Sequence, residues 1–519
     1  MTAPGLRIGV DVGGTNTDAV VMQGRSVAAS VKVPTTADVT GGIVSALNEL
    51  FDDNDLSPER VAAVMIGTTH FTNAVVEARG LAPTAVIRLG LPATSSLPPL
   101  VDWPDRLTEA IGGTTYLCRG GHEYDGREIA PLDREGLRRV VEEAADAGVR
   151  SFAVTSVFSP VNDDFEHEAA DMIRNYVDGA SLSLSSEIGR IGLLERENAT
   201  AMNACLIDLA SRIVDAFEAA IADFGIGAPL YISQNDGTLM SADYTRQYPV
   251  ATFASGPTNS MRGAAFLSGL SDCAIVDVGG TTSDVGVLVG GFPRETSATV
   301  DICEVRSNFR MPDLISIGLG GGSLVRDLDA TSVGPDSLGF HLTTDALVFG
   351  GDTLSATDIA VAAGLADVGD AGLVAHLDLG LVDRARLAMQ ESLAEAVDRL
   401  KVQPGDVPLV AVGGGSFLVE RGLEGTSEVV LPDHGPVANA IGAAIAQVGG
   451  ETDRIFSLQD ASREETLEIA REEAVQRATD AGATRESVEV VEMEEVPLSY
   501  LPSNAVRVRV KAVGDLEFS

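Results

Sequence analysis

The chain has little lysine and little positive charge of any kind. Lys32, Lys401 and Lys511 are its three lysines, and 36 lysines and arginines stand against 76 aspartates and glutamates, a formal net charge of −40. Such a chain repels the phosphates of nucleic acids and anionic lipids, so we expect neither as a partner. The composition is typical of a salt-rich cytoplasm and equally of a GC-rich genome, and the sequence does not decide between them.

Cysteine and long apolar runs are also scarce. The four cysteines, at positions 118, 205, 273 and 303, form no C-x-x-C pair. This spacing argues against a disulfide framework or a structural zinc site, although a cluster shared across a dimer stays open. No apolar run reaches the length of a membrane span and residues 1–7 lack a signal-peptide pattern, so we expect a cytoplasmic protein with no membrane partner.

What the sequence does contain is a duplicated motif. Residues 10–18 read VDVGGTNTD and residues 276–284 read VDVGGTTSD, with seven identical positions. Apolar runs flank each copy, which predicts two strands joined by a tight Gly-Gly-Thr turn, a β-hairpin. One copy could be an ordinary hairpin, but two copies favour a pair of related lobes that face one ligand.

The residue types of this motif suit a phosphate group and a magnesium ion. Paired glycines let the backbone approach a bulky anion, whose oxygens free N–H groups can bind. A carboxylate at a strand end can hold Mg²⁺ directly or through water, because hard cations prefer oxygen ligands. Asp11 and Asp277 are therefore the candidate metal ligands. The candidate phosphate-binding residues are Gly13, Gly14, Thr15, Thr17, Gly279, Gly280, Thr281 and Thr282.

The order of predicted elements indicates an α/β fold with mixed sheets. A long helix over 193–224 would link two lobes, and a small-residue helix over 437–448 would pack closely or serve as their hinge. The segment 90–132, rich in Gly, Pro and Thr, predicts an inserted loop or a small hairpin layer. The predicted domains are an N-terminal lobe at 1–190, a second lobe at 191–450 and a small α/β appendage at 451–519.

The ordered motifs resemble the hydantoinase/oxoprolinase A family, which includes N-methylhydantoinase A, 5-oxoprolinase and acetone carboxylase subunits, within the actin/Hsp70/sugar-kinase ATPase superfamily. The resemblance implies two actin-like (ribonuclease H-like) lobes around an interlobe nucleotide cleft. The chain departs from the family pattern at Ile66, where a His is usual, and over 336–340. The matching stretches, in family order, are 9–18, 67–69 with 73–74, 255–257, 277–284, 317–323 and 333–335.

The resemblance also implies an activity, an ATP-dependent cyclic amidohydrolase that uses ATP and Mg²⁺. The γ-phosphoryl group would activate the oxygen of a small-molecule cyclic amide, and a B-type partner subunit would complete ring opening. Asp11 and Asp277 would bind Mg²⁺ and orient the nucleophile or water. The implied adenosine contacts are Gly413, Gly414, Gly415 and Ser416, and the implied substrate contacts are Thr68, Thr69, Asn73, Gly320, Gly321, Gly322 and Ser323.

Other interpretations stay open: an ATP-dependent carboxylase subunit, a small-molecule or sugar kinase, and a non-catalytic ATP-switched activator. The paired-cysteine zinc site of one kinase branch is missing, and the segment 451–519 is small for a peptide-binding domain. Locally, Thr68 and Thr69 can form a plain helix N-cap, the 413–416 run a turn without a ligand, and Asp18 and Asp284 turn caps. A homodimer is also left open.

Overall fold

The computed structural model describes residues 5–13, 16–35, 40–52, 56–189, 191–296, 299–308, 311–327, 330–401, 404–458, 462–498 and 505–516. No helix in these ranges is both long and apolar enough to cross a bilayer. The strands are β1 Leu6–Val12, β2 Asn16–Gln23, β3 Ser26–Pro34, β4 Val61–Thr68, β5 Thr84–Leu91, β6 Thr114–Arg119, β7 Ser151–Ser156, β8 Ser181–Leu184, β9 Leu230–Ser233, β10 Thr238–Ser241, β11 Cys273–Val278, β12 Ser283–Val289, β13 Phe292–Pro293, β14 Val300–Ile302, β15 Val305–Ser307, β16 Leu314–Ile317, β17 Ser323–Asp327, β18 Thr331–Ser337, β19 Val407–Val412, β20 Thr426–Val430, β21 Gln447–Phe456, β22 Glu489–Pro497 and β23 Val506–Gly514. The helices are α1 Gly41–Asp52, α2 His70–Glu77, α3 Asp105–Ala110, α4 Arg134–Asp146, α5 Asp164–Tyr176, α6 Ser185–Ile188, α7 Leu193–Asp223, α8 Ala242–Gln247, α9 Ser255–Ser268, α10 Leu342–Asp345, α11 Ala356–Ala362, α12 Leu379–Leu400, α13 Ala438–Ile445 and α14 Arg463–Asp480.

Two mixed sheets carry the two copies of the motif. The first has the order β22-β23-β21-β10-β9-β4-β1-β2-β3, and the second has the order β13-β12-β11-β19-β20 with β16 paired to β12. In each sheet the leading strand of the motif, β1 or β11, pairs antiparallel with the next strand and parallel with a later one, β4 or β19. Strands β1 and β11 are covered on both faces, so their sequences are nearly continuous apolar runs. The predicted α/β fold with mixed sheets is confirmed.

A separate parallel sheet of four strands, β6-β5-β7-β8, lies within the first lobe. The prediction of a loop or hairpin layer for 90–132 is therefore wrong in part, because this segment provides α3 and the strand β6, which pairs parallel with β5. As an edge strand, β6 buries only Cys118 completely. Its sequence consequently lacks the clear apolar alternation that identifies a strand.

The C-terminal α/β unit extends the edge of the first sheet. Strand β21 pairs parallel with β10 and antiparallel with β23, and α14 packs against both β21 and β23. The helix predicted over 437–448 ends at Ile445, since β21 begins at Gln447. Strand β21 runs through residue 450, and β9 and β10 also belong to the first sheet, so the exact domain limits stay predictions.

Two short helices, α9 and α13, cross between the two sheets. Residues of α9 pack on β11 of the second sheet, and α13 packs on β1, β2 and β4 of the first. Their backbones touch at glycines: a Cβ atom on Gly263 would lie 1.9 Å from the Ala438 carbonyl oxygen, and one on Gly442 would lie 1.8 Å from that of Asn259. Gly256 and Pro257 lie in the first turn of α9, where the missing N–H of proline is tolerated.

This crossing gives a stability prediction. Gly442→Ala forces a methyl group into the α9 backbone, so we expect a loss of about 1–3 kcal/mol and a lower melting temperature. Gly422→Ala is the control, because a Cβ atom at Gly422 meets nothing within 4 Å; its effect should stay within about 0.5 kcal/mol. Calorimetric melting of both variants is the measurement. Equal melting temperatures would contradict the close contact of the helices.

Candidate active site

The strands of the two copies of the motif pair in the same register. Asp11 lies opposite Asp18 in one antiparallel ladder, and Asp277 lies opposite Asp284 in the other. The first glycine of each turn donates its N–H to a carbonyl three residues later, at 3.1 Å and 2.9 Å. The two predicted hairpins are confirmed, and the chemistry of one can be compared directly with that of the other.

Each leading aspartate lies over a glycine of the neighbouring parallel strand or its end. Asp11 is opposite Gly67 of β4, and a Cβ atom on Gly67 would lie 2.4 Å from Asp11 Oδ1. Gly413 follows β19, and a Cβ atom there would lie 2.2 Å from Asp277 Oδ1. A side chain at either position would fill the space at the carboxylate. Position 413, predicted as an adenosine contact, therefore requires glycine for steric reasons alone.

Helix α9 brings the two aspartates to one place. Its adjacent residues face different hairpins, since the Asn259 amide approaches Asp11 above Gly67 and the Ser260 hydroxyl is bonded to Asp277. The negative charge of Asp277 also acts on Asp11 and contributes to raising its pKa. The two leading aspartates thus both lie beside α9.

Burial raises the pKa of both aspartates above the ordinary value of a carboxyl group. It raises the pKa of Asp11 to about 6, with a further contribution from the negative charge of Asp18. It likewise raises the pKa of Asp277 to about 6, although the Ser260 hydroxyl opposes this shift. Each carboxylate is therefore costly to ionise in this environment, and a bound cation would remove that cost.

The residues present fit a magnesium ion. Asp11 is 5% exposed, and within the described ranges neither it nor Asp277 is paired with a cationic side chain. The Asn259 amide beside Asp11 is 1% exposed, and its interaction with the carboxylate opposes the rise in the pKa of Asp11. No described group of three or more His, Cys, Asp or Glu could hold a metal by itself. Two carboxylates that leave positions for water and phosphate oxygens are the usual way in which proteins bind Mg²⁺.

The hydroxyls at the second strand of each hairpin brace the turns from behind. Thr17 is fully buried and lies 3.1 Å from the Thr35 hydroxyl, which donates to the Gly13 carbonyl at 2.8 Å. Ser283 donates to the Leu319 carbonyl at 2.6 Å. Thr17, a predicted phosphate contact, is thus part of the support of its turn, whereas Thr281 and Thr282 are exposed. Two other predicted contacts, at positions 14 and 15, lie outside the described residues.

The glycine-rich loop 318–323 also supports the second hairpin. The N–H groups of Gly321 and Gly322 donate to the carbonyls of Gly279 and Gly280 at 3.0 and 2.7 Å. The Gly320 N–H donates to the Ser323 hydroxyl at 2.8 Å. These three amides are engaged in the fold, and a Cβ atom on Gly320 would lie 2.7 Å from the backbone of the turn. A substrate role for 320–323 stays a prediction.

The remaining predicted site residues lie beside the two turns. Gly415 donates its N–H to the Val278 carbonyl at 2.8 Å, which ties the 413–416 loop to the second hairpin and leaves Gly414 exposed. Thr69 makes no capping hydrogen bond to its helix; its hydroxyl donates to the Val12 carbonyl at 3.3 Å. Asn73 is exposed and donates to the Thr69 hydroxyl at 3.3 Å. The first hairpin therefore contacts the start of α2.

Sequence reasoning missed the polar residues that surround the aspartates. Asn439 of α13 donates to both Asp11 and Asp18, and Lys32 pairs with Asp18 at 2.5 Å. Two signals could have found them: Asn439 is the one strongly polar residue in the helix sequence ANAIGAAI, and lysine is otherwise almost missing from the chain. Residues 259 and 260 of α9 carried no comparable signal.

Comparison with solved structures defines the class of fold, which is actin-like with two lobes. The crystal structure of an ATP-dependent caprolactamase from Pseudomonas jessenii superposes with a TM-score of 0.80 at 20% identity over 98% of this chain and 88% of that one. A nucleotide-free structure of acetone carboxylase gives a TM-score of 0.69 at 16% identity over 99% of this chain and 88% of that one. The fold predicted from the motifs is confirmed.

The chain belongs to the hydantoinase/oxoprolinase family. The model of the hydantoinase/oxoprolinase N-terminal region matches residues 7–177, and the hydantoinase/oxoprolinase model matches residues 196–370. The alpha subunit of caprolactamase from Pseudomonas jessenii is 27% identical over 459 residues, covering 82% of this chain and 64% of that one. The gamma subunit of acetophenone carboxylase from Aromatoleum aromaticum is 26% identical over 507 residues, covering 85% and 68%. The chain thus spans about two thirds of these relatives.

The raised pKa of Asp277 gives a test that needs no ligand. Because its pKa is higher in the folded than in the unfolded state, its contribution to stability is present at low pH and is lost as the pH rises from about 4 to about 6. In metal-free buffer, Asp277→Asn should therefore raise the melting temperature above that of the wild type. The gain in the free energy of unfolding should be larger at pH 7.5 than at pH 5 by about 1 kcal/mol.

The control for this test is Asp52→Asn, which changes the net charge equally at an exposed position of α1. Its effect on the melting temperature should be the same at both pH values. A gain for Asp277→Asn that does not depend on pH would show that this carboxylate ionises normally in the folded protein.

Proposed function

We propose that this chain is the ATP-dependent subunit of a cyclic amidohydrolase, which phosphorylates the oxygen of a cyclic amide and so activates it for ring opening. The observation that carries the proposal is the pair of matching hairpins, each with an aspartate over a glycine, and both aspartates lie beside α9. The name of one relative, the alpha subunit of caprolactamase, supports a lactam as the class of substrate. Because that relative is a named subunit, a B-type partner subunit is part of the proposal.

The residues of the chain would act mainly by position and charge. Mg²⁺, held by Asp11 and Asp277, would neutralise charge on the phosphates of ATP. The glycine turns would bind phosphate oxygens through backbone N–H groups, and the 413–416 loop would contact adenosine. The cleft would hold the amide oxygen in line with the γ-phosphorus, since phosphoryl transfer depends largely on alignment and electrostatic stabilisation.

The proposed reaction consumes one ATP and two water molecules for each ring that is opened. The amide oxygen forms a bond to the γ-phosphorus while the bond to ADP breaks. In the partner subunit, water adds to the activated carbon, the ring C–N bond breaks, and the nitrogen takes a proton. A second water then releases inorganic phosphate, which leaves a ring-opened amino acid, ADP and phosphate.

A carboxylase subunit is the second candidate, and a specific observation favours it. The gamma subunit of acetophenone carboxylase aligns over 507 residues and covers 85% of this chain. In that case the same phosphoryl transfer would activate a ketone or bicarbonate for the formation of a C–C bond. Both candidates use the same site in this chain, so they differ in the substrate and in the partner subunit.

The substrate class is tested by ADP release. We expect the protein with its B-type partner to release ADP in the presence of a lactam or hydantoin, and to release none above background with sugars. Dependence of ADP release on a ketone together with bicarbonate would favour the carboxylase instead. Formation of a stable sugar phosphate would contradict both and would identify a kinase.

The role of the aspartates is tested by substitution. Asp11→Asn and Asp277→Asn should each lower the rate of ATP turnover at least about 100-fold, since each removes a carboxylate that would hold Mg²⁺ at the phosphates. Far-ultraviolet circular dichroism should show an unchanged fold, and Asp52→Asn should retain the wild-type rate. ATP turnover that survives both substitutions would remove these residues from the mechanism.

A further inference from the structure

Asn439 of helix α13 contacts Asp11, the leading aspartate of the first hairpin. Asn439 lies in the first turn of α13, and its side-chain nitrogen donates to Asp11 Oδ2 at 3.0 Å and to Asp18 Oδ2 at 2.9 Å. Asn439 Oδ1 accepts the N–H of Ala440 at 2.8 Å. Because a backbone N–H can only donate, this contact fixes which end of the amide faces the carboxylates.

The contact engages Oδ2 of Asp11 and leaves its other oxygen, Oδ1, without a bond to Asn439. Oδ1 lies on the side of Gly67 and Gly256, where the absence of side chains leaves room, and the Asn259 amide approaches from the same side. One carboxylate oxygen of Asp11 is thus held by Asn439 and the other is turned toward the space in which a cation would bind.

Asp18 and Lys32 complete the arrangement. Lys32 lies directly opposite Asp18 in the β2–β3 ladder and forms an ion pair with it at 2.5 Å. Asp18 is 3% exposed and is therefore held from one side by the lysine and from the other by Asn439. The chain of contacts Lys32–Asp18–Asn439–Asp11 joins the outer strand β3, the first hairpin and the helix α13.

We propose that Asn439 is a positioning residue that orients the Asp11 carboxylate for Mg²⁺. The inference rests on the proposed function for the identity of the metal, and on the three hydrogen bonds of Asn439 for the residue. Because α13 crosses α9 in direct backbone contact, and α9 carries Asn259 and Ser260, a change in the angle between the lobes would move the contacts of both aspartates together.

The test separates metal binding from nucleotide binding. Calorimetric titration of Mg²⁺ into the full chain saturated with ADP should show that Asn439→Ala lowers the affinity for Mg²⁺ roughly 10- to 100-fold, the usual effect of removing a group that orients a metal ligand. Binding of ADP in the presence of a chelator should be unchanged. Asn439→Ser keeps a polar group that is too short to reach both carboxylates, and it serves if the alanine variant does not fold.

The matched control is Asn175→Ala, at an exposed position of α5 far along the chain, which should bind Mg²⁺ as the wild type does. Normal Mg²⁺ affinity in the Asn439 variants would overturn this assignment alone. Loss of metal-free ADP binding in parallel with loss of Mg²⁺ binding would also overturn it, since it would indicate a structural role. A wild-type protein that binds no Mg²⁺ with ADP would overturn the proposed function together with this assignment.

Discussion

The structure depends on the direct contact of two helix backbones. Helices α9 and α13 approach so closely at Gly263 and Gly442 that no side chain fits between them. This contact puts the start of α13 against the first hairpin and the start of α9 against both. If the helices were farther apart, Asn439 would not reach Asp11, and adjacent residues of α9 could not face two different sheets.

A second constraint acts within each lobe. Each leading aspartate occupies the space above a glycine on the parallel neighbour, at position 67 in one lobe and 413 in the other. The same chain geometry is thus used twice, with antiparallel pairing on one side and parallel pairing on the other. The turns themselves differ in their support: a threonine pair braces the first, and the 318–323 loop braces the second.

The charges follow from this geometry. Burial raises the pKa of both aspartates, while Lys32, one of the three lysines of the chain, pairs with Asp18 rather than with either of them. The site therefore concentrates negative charge, and in the described part of the chain no cationic side chain forms an ion pair with Asp11 or Asp277. A divalent ion with phosphate oxygens would balance that charge.

The sequence by itself determined the two hairpins, the α/β class and the family, because a repeated motif and the apolar periodicity of its strands are local properties. Helix α7 was also predictable, because its apolar residues recur at helical spacing. The parallel strand β6, the extension of the first sheet by β21 to β23 and the position of Asn439 were decided by tertiary structure. Each depends on contacts between segments that are far apart in the chain, such as residues 11 and 439, and neither composition nor spacing encodes which distant strand or helix will lie alongside.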